Sequence, residues 1–558
     1  MDHSLPTVIA EEAVGDLIAR TLSEIGVTTV FGVISIHNMP ILDAIGRQGR
    51  IRFVPARGEA GAMNMADAYA RVTGGIGVCF TSTGTAAGNS AGSQVEALTA
   101  GSSVLHITTQ VDRAFMDRDR AAIHDVPRQA DMLKAISKTY IRVWEPHAAV
   151  DNLLAAARAA LTAPAGPVTL EIPVDVQRVR VSGPAFPAAL KIAAPQPDPV
   201  LLDRLADLIL RAERPIIWFG GGARNAAAAA TELVDRGFAA VTSTNGRAVV
   251  PEGHVHSLGA FNMTPEAQAI YDRADLMIVV GSRLRGNETR NNLMPLPKTL
   301  VQIDADPTQA GRNYPTSLFI AGDARLVLEG LLARLPVRLP SDPGFLSAIA
   351  PARDRSETAL CGRLGPYARL ADALNDRVFA GKHPWVRDVT VSNSTFGNRY
   401  VRIAAPNLGV HALGGGIGQG IAMGIGAAMA CAGKAVTLLG DGGSQLMIGE
   451  LATAVEMNAG IVFVLMNDRG YGVIRNIQDA QYGGRHVYAD ILTPDFSLVC
   501  KAVGMPHVRI SDVDAFATAF DTALGSEGPR MIEIDMTVIG PFAESFAGPP
   551  AGAAGGVR

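Results

Sequence analysis

Residues 438–472 read LLGDGGSQLMIGELATAVEMNAGIVFVLMNDRGYG. An apolar run ends at Gly440-Asp441-Gly442, a helical stretch follows, and a second apolar run ends at Asn467-Asp468. This is one β-α-β unit, two parallel strands joined by a crossover helix. Strands joined in that way finish at the same edge of a sheet. Asp441 and Asp468, 27 residues apart, are therefore expected on neighbouring strand ends. Two carboxylates and a backbone carbonyl supply half of the oxygen shell that Mg²⁺ takes, and phosphate oxygens can complete it. Amides at Gly442 and Gly443 would meet the same phosphates. Either aspartate alone reads as an Asx-turn closing a strand. The pair at this spacing reads as a site.

The same alternation of β-branched runs and Ala-rich helical stretches fills the rest of the 558 residues, which suffice for three domains. A first block carries VTTVFGV, IGVCFTST, SVLHITT and VTLEIPVD, and a helix is expected from Glu59 to Arg71. A second carries PIIWFGGG, AAVTST, LMIVVGSR and TLVQIDADP; the third carries AVTLLGDGG, IVFVLMND and MIEIDMT. Pro-rich stretches at 183–199 and 336–365 read as linkers. The expected architecture is α/β, with three Rossmann-like doubly wound parallel-sheet domains at 1–180, 195–335 and 366–540, and a flexible tail at 541–558.

Composition narrows the function classes. With 49 basic against 53 acidic residues the net charge is −4, and no basic block points to nucleic acid. The four cysteines are scattered, with no CxxC pair, which suits a reducing cytoplasm and argues against a structural zinc. The first residues carry acids where a secretory leader has bases. The longest apolar stretch, 421–439, is mostly Gly, Ala and Met and is too weak for a membrane span. A cytoplasmic protein without nucleic-acid or membrane partners is expected.

The GDG turn, the gap and the Asn-containing strand end resemble the diphosphate–metal motif of the thiamine diphosphate (ThDP) enzymes. The resemblance implies that Asp441 and Asp468 are side-chain ligands of Mg²⁺ and Gly470 a backbone ligand, with Gly442, Gly443, Tyr471 and Ser394 at the cofactor. Two departures stand out. The family usually has Asn where this chain has Asp468, and often Ser where it has Gly443. Residues 57–71, RGEAGAMNMADAYAR, are similar to the HEQGAAHAADGYAR stretch of acetolactate synthases, which places the family's catalytic glutamate on Glu59. A carboxyl bonded to N1′ of the aminopyrimidine helps it remove the weakly acidic C2 proton of the thiazolium. Residues 82–89, STGTAAGN, match a following turn. GGGIGQG at 414–420 resembles the segment that bends the cofactor, with Ile417 as the wedge and the Gly415 carbonyl accepting from the 4′-amino group.

The block order resembles the branch containing acetolactate synthase, benzoylformate decarboxylase and pyruvate decarboxylase, so the three domains would be pyrimidine-binding, middle and diphosphate-binding. That branch implies a 2-oxo acid decarboxylase or carboligase acting on a 2-oxo acid or aldehyde, in a homodimer or homotetramer. In the family, pyrimidine and diphosphate contacts come from different subunits. His37 falls where benzaldehyde lyase has an active-site histidine, and residues 122–129, AIHDVPRQ, resemble a stretch of guanidino-oxo-acid decarboxylases. His37, His124 and Gln110 are thus candidates for proton transfer. Ile36 and Thr83 are expected at the substrate pocket, with Ile474 and Ile477 lining the part where acetolactate synthases carry a tryptophan that this chain lacks. The middle block matches an FAD- or nucleotide-binding scaffold without committing the chain to FAD. The alternatives are a benzaldehyde-lyase-like 2-hydroxyketone lyase, a nicotinamide-dependent oxidoreductase on the middle block, and a ThDP-binding protein without turnover.

Overall fold

Short runs of three to seven residues, mostly apolar or β-branched, form strands in three parallel sheets of the computed structural model, which describes residues 11–182 and 190–545. Contacts divide the chain into two units. The first spans the described residues up to Ala193, with Ala422–Ala432 and Met447–Ala459 added. Its strands are β1 (Glu11–Ala13), β2 (Thr29–Gly32), β3 (Arg52–Pro55), β4 (Gly77–Phe80), β5 (Val104–Gln110), β6 (Thr139–Arg142), β7 (Val168–Pro173) and β8 (Arg180–Ser182). β1 and β8 form an antiparallel pair, and the other six form a parallel sheet in the order β3-β2-β4-β5-β7-β6. β5 and β7 are buried along their whole length, as central strands covered on both faces must be.

The helix Glu59–Thr73 begins after an extended Gly58 and ends at Gly74 in the left-handed conformation. An acid in its first turn suits the positive end of the helix dipole. From Gly61 to Val72 only Tyr69 is not buried, so the Ala- and Met-rich helix is wrapped on all sides. Its buried charges are matched: the Arg71 guanidinium pairs with Asp67 of the same helix at 2.5 Å and with Glu96 of the Thr85–Ala100 helix at 3.2 Å.

The second unit holds two sheets. β9 (Pro215–Phe219), β10 (Ala239–Thr242), β11 (Leu276–Val280), β12 (Leu300–Asp304) and β13 (Leu318–Ala321) lie in the order β10-β9-β11-β12-β13. β14 (Trp385–Arg387), β15 (Gly409–His411), β16 (Ala435–Gly440), β17 (Ile461–Asn467), β18 (His507–Ile510) and β19 (Arg530–Asp535) lie in the order β15-β14-β16-β17-β19-β18. The three doubly wound α/β sheets match the architecture expected from the sequence. In the third, Gly440 is level with Met466, so β16 and β17 deliver Asp441 and Asp468 to one edge.

Two expectations need correction. Residues 349–364, placed in a linker, form a helix that buries Ile349, Ala352, Ser356 and Leu364. The tail does not begin at 541: Phe542 is buried, its ring 4.6 Å from that of Tyr367. Aromatic burial holds the chain this far. Residues 183–189 of the first expected linker and 546–558 of the expected tail lie outside the described residues.

Candidate active site

The loop expected from the sequence to hold a metal is built from two strand ends. Asp441, 1% exposed, opens a short helical turn directly after β16. Its Oδ1 accepts from the Asp468 amide at 3.3 Å and its Oδ2 from the Gly470 amide at 2.9 Å. Gly470 sits at φ 151°, where a side chain would be strained, and its carbonyl lies against Gly442. Burial and the facing carboxylate of Asp468 push the Asp441 carboxyl up to about 7. Asp468 is also raised by burial, with Arg475 opposing. Burial and like charge disfavour ionising both carboxyls at once, and a cation held between them would reverse that. An all-oxygen set of two carboxylates and a backbone carbonyl is the chemistry a hard divalent cation selects. Among the described residues no group of three or more His, Cys, Asp or Glu side chains could hold a metal, so any cation here depends on backbone and ligand oxygens as well. A cavity of about 230 Å³ opens beside the loop, lined by Asp468, Arg475, Asn476, Val391, Thr537 and Phe542.

Asp388, just past β14, fastens the glycine-rich segment to this edge. Its carboxylate accepts from the Gly418 amide at 3.0 and 3.1 Å and from the Val389 amide at 2.8 Å. Full burial lifts its carboxyl to about 6 even against these amides. The anchored segment leaves Ile417 39% exposed, next to the buried Gly418. Gly443 packs closely against Gly418 and the Asp388 carboxylate, which leaves little room for a side chain there. Ser394 donates its amide to the Thr390 carbonyl at 3.1 Å. Tyr471 lies against Gly442. Ile474 and Ile477, three residues apart in the helix Gly472–Gln481, share one side, and Ile474 is exposed.

In the first unit Glu59 is half-buried and its Oε2 accepts from Asn89 Nδ2 at 3.1 Å. The turn before it is held by Glu450, whose Oε1 accepts from the Arg57 amide at 3.0 Å and the Gly58 amide at 3.1 Å. Thr453 donates to the other oxygen at 2.7 Å. A side chain at Gly61 would collide with the Glu450 carboxylate, so glycine is required at that crossing. His37 and His124 meet edge to face, ring centroids 5.3 Å apart. His37 is 5% exposed, with Nδ1 3.4 Å from Ser82 Oγ. Burial and His124 lower its pKa, with Asp112 opposing. Thr83 Oγ1 lies 2.9 Å from both Gln110 Oε1 and Gln129 Oε1. Gln110 is fully buried, and its Nε2 has no hydrogen-bond partner among the described residues. Ile36 is 56% exposed beside His37. The structure therefore brings His37 to His124 and Gln110 to Thr83, whereas the partner it gives Glu59 is Asn89.

Family models for the thiamine pyrophosphate enzymes match in the same order as the three sheets: the N-terminal TPP binding domain over residues 12–132, the central domain over 202–331 and the C-terminal TPP binding domain over 390–534. The chain belongs to the thiamine diphosphate enzyme family. A probable 2-ketoarginine decarboxylase of Pseudomonas aeruginosa is 29% identical over 93% of each chain. The acetolactate synthase of Arthrospira platensis is 28% identical over 92% of each, and the large subunit of Escherichia coli acetolactate synthase isozyme 3 is 26% identical over 94% of each. The comparisons favour neither the benzaldehyde-lyase-like nor the nicotinamide reading. No described helix is long and apolar enough to cross a membrane.

Three residues of this ThDP enzyme escape a sequence reading: Asp388, Glu450 and Arg475. Each is a single charged residue whose partners lie in another segment or in loop backbone. Only Asp388 leaves a trace, as an acid closing a short apolar strand.

Proposed function

We propose that this ThDP enzyme requires Mg²⁺ and decarboxylates a 2-oxo acid, with carboligation to a second carbonyl compound as an accompanying activity. The observation that carries the proposal is the paired strand-end carboxylates Asp441 and Asp468 with the Gly470 backbone between them. When bound, ThDP supplies a nucleophilic carbon and an electron sink for the electrons released with CO₂. The chain's own residues do the rest. Asp441, Asp468 and the Gly470 carbonyl would hold the cation, and the amides of Gly442 and Gly443 would bind the diphosphate. The Gly415 carbonyl and Ile417 would position the aminopyrimidine, and Glu59 would hold a proton there. His37, kept neutral near pH 7 by burial, is suited to move a proton at the substrate, with His124 and Gln110 beside it. Ile36, Thr83, Ile474 and Ile477 would line the substrate pocket. Domains 1–180 and 366–540 are assigned to the cofactor and 195–335 to the middle domain. Decarboxylation is placed first because one of the relatives is named as a decarboxylase of a 2-oxo acid.

The test is CO₂ release from a panel of aliphatic, aromatic and guanidino 2-oxo acids, with and without ThDP, Mg²⁺ and EDTA. Release that needs both cofactors is expected for at least one member. No release from any of them, together with no calorimetric binding of ThDP, would rule the proposal out.

A homodimer or homotetramer is proposed on the family resemblance. Refolding Glu59→Gln chains together with Asp441→Ala chains should restore about a quarter of the activity that wild-type chains regain, because random pairing gives half heterodimers, each with one intact site of two. A mixture as inactive as its parents, while wild type refolds to activity, would show that the two residues act within one chain.

A further inference from the structure

Asp468 adds a second carboxylate to the strand edge that carries Asp441, at the site where a diphosphate would be held. Arg475 answers it. Its Nη2 lies 3.1 Å from Asp468 Oδ2 and donates to the Asp468 carbonyl at 2.7 Å. Its Nη1 donates to the Arg469 carbonyl at 3.2 Å and to Asp490 at 2.9 Å. The Asp468 side chain is 25% exposed and that of Arg475 20%, so this pair is poorly screened by solvent, whereas Asp490 is 68% exposed. Both members of the pair line the cavity beside the metal loop. We propose that Arg475 is a positioning residue that acts as the built-in counter-charge of Asp468, so that the diphosphate meets the same net charge an asparagine there would present. The proposal rests on the reading of Asp441, Asp468 and Gly470 as the cation site.

Charge counting separates this role from that of a mechanical brace. The pair carries zero charge in the wild type, +1 in Asp468→Asn, −1 in Arg475→Met and zero again in the double variant; Asp490 is common to all four. The readout is binding by EDTA-stripped protein, at saturating Mg²⁺, of two probes followed by calorimetry: ThDP and inorganic pyrophosphate. One charge a few ångströms from the diphosphate in a half-buried site is worth about tenfold in affinity. Arg475→Met is thus expected to weaken both probes about tenfold, and Asp468→Asn to bind them at least as well as wild type. The double variant should return to within about threefold of wild type. Arg475→Lys keeps the charge and should stay near wild type even if Arg475→Met folds too poorly to titrate. A double variant as weak as Arg475→Met, or an Arg475→Lys as weak as that variant, would make Arg475 a brace only and overturn the proposal. If the wild type binds neither probe, the cation-site reading falls and this proposal with it.

Discussion

Asp441→Ala leaves a protein that no longer retains ThDP at ordinary cofactor concentrations. The carboxylate takes two backbone amides of the loop carrying Asp468 and Gly470, at 3.3 and 2.9 Å. Its removal therefore loses one charged ligand and lets the other two drift. Breaking a buried charge pairing costs about 3–5 kcal/mol, roughly a hundredfold to a few thousandfold in affinity. The loss should appear in calorimetric titrations of stripped protein with Mg²⁺ and ThDP. The same titration of Asp468→Asn is the control, since that change restores the family's usual ligand. Wild-type affinity in Asp441→Ala would mean that the diphosphate binds elsewhere.

The pair was legible because its spacing is a property of the chain: one β-α-β unit puts two strand ends on one edge wherever it occurs. The helix start at Glu59 was legible too, within a stretch that resembles a known one. What holds these residues was not. Glu450 is far along the chain from the Arg57 and Gly58 amides it accepts from, and nothing local marks it. Arg475 reads as an ordinary helix-surface cation until the fold turns it onto the Asp468 carboxylate. The fold shows the same division. Long central strands such as β5 and β17 are rich in apolar and β-branched residues and were expected. The edge strands β3, β6, β15 and β18 have three or four residues of mixed polarity, and β13 only four, too few to give a period to read. The helix Ile349–Leu364 hid for a related reason: its few buried positions make a stripe too sparse to outweigh the Pro- and Arg-rich composition around it.

Glu59→Gln separates binding from chemistry and should be the more damaging change to turnover. Gln keeps the shape, and its amide oxygen can still accept from Asn89, whose Nδ2 lies 3.1 Å from the Glu59 carboxylate. The Glu450 carboxylate continues to hold the Arg57–Gly58 turn. The helix start is therefore expected to stay in place. ThDP affinity should change by no more than about tenfold, the worth of one hydrogen bond. What disappears is the group that can hold and return a proton at the aminopyrimidine, and positioned proton transfer is worth roughly 100- to 10,000-fold in rate. The direct measurement is exchange of the C2 proton of bound ThDP, followed by NMR after mixing with deuterated water and quenching in acid. Exchange should slow by that factor, and CO₂ release should slow with it. If exchange proceeds at the wild-type rate in the variant, another group activates the cofactor, and the assignment of Glu59 fails although the cofactor still binds.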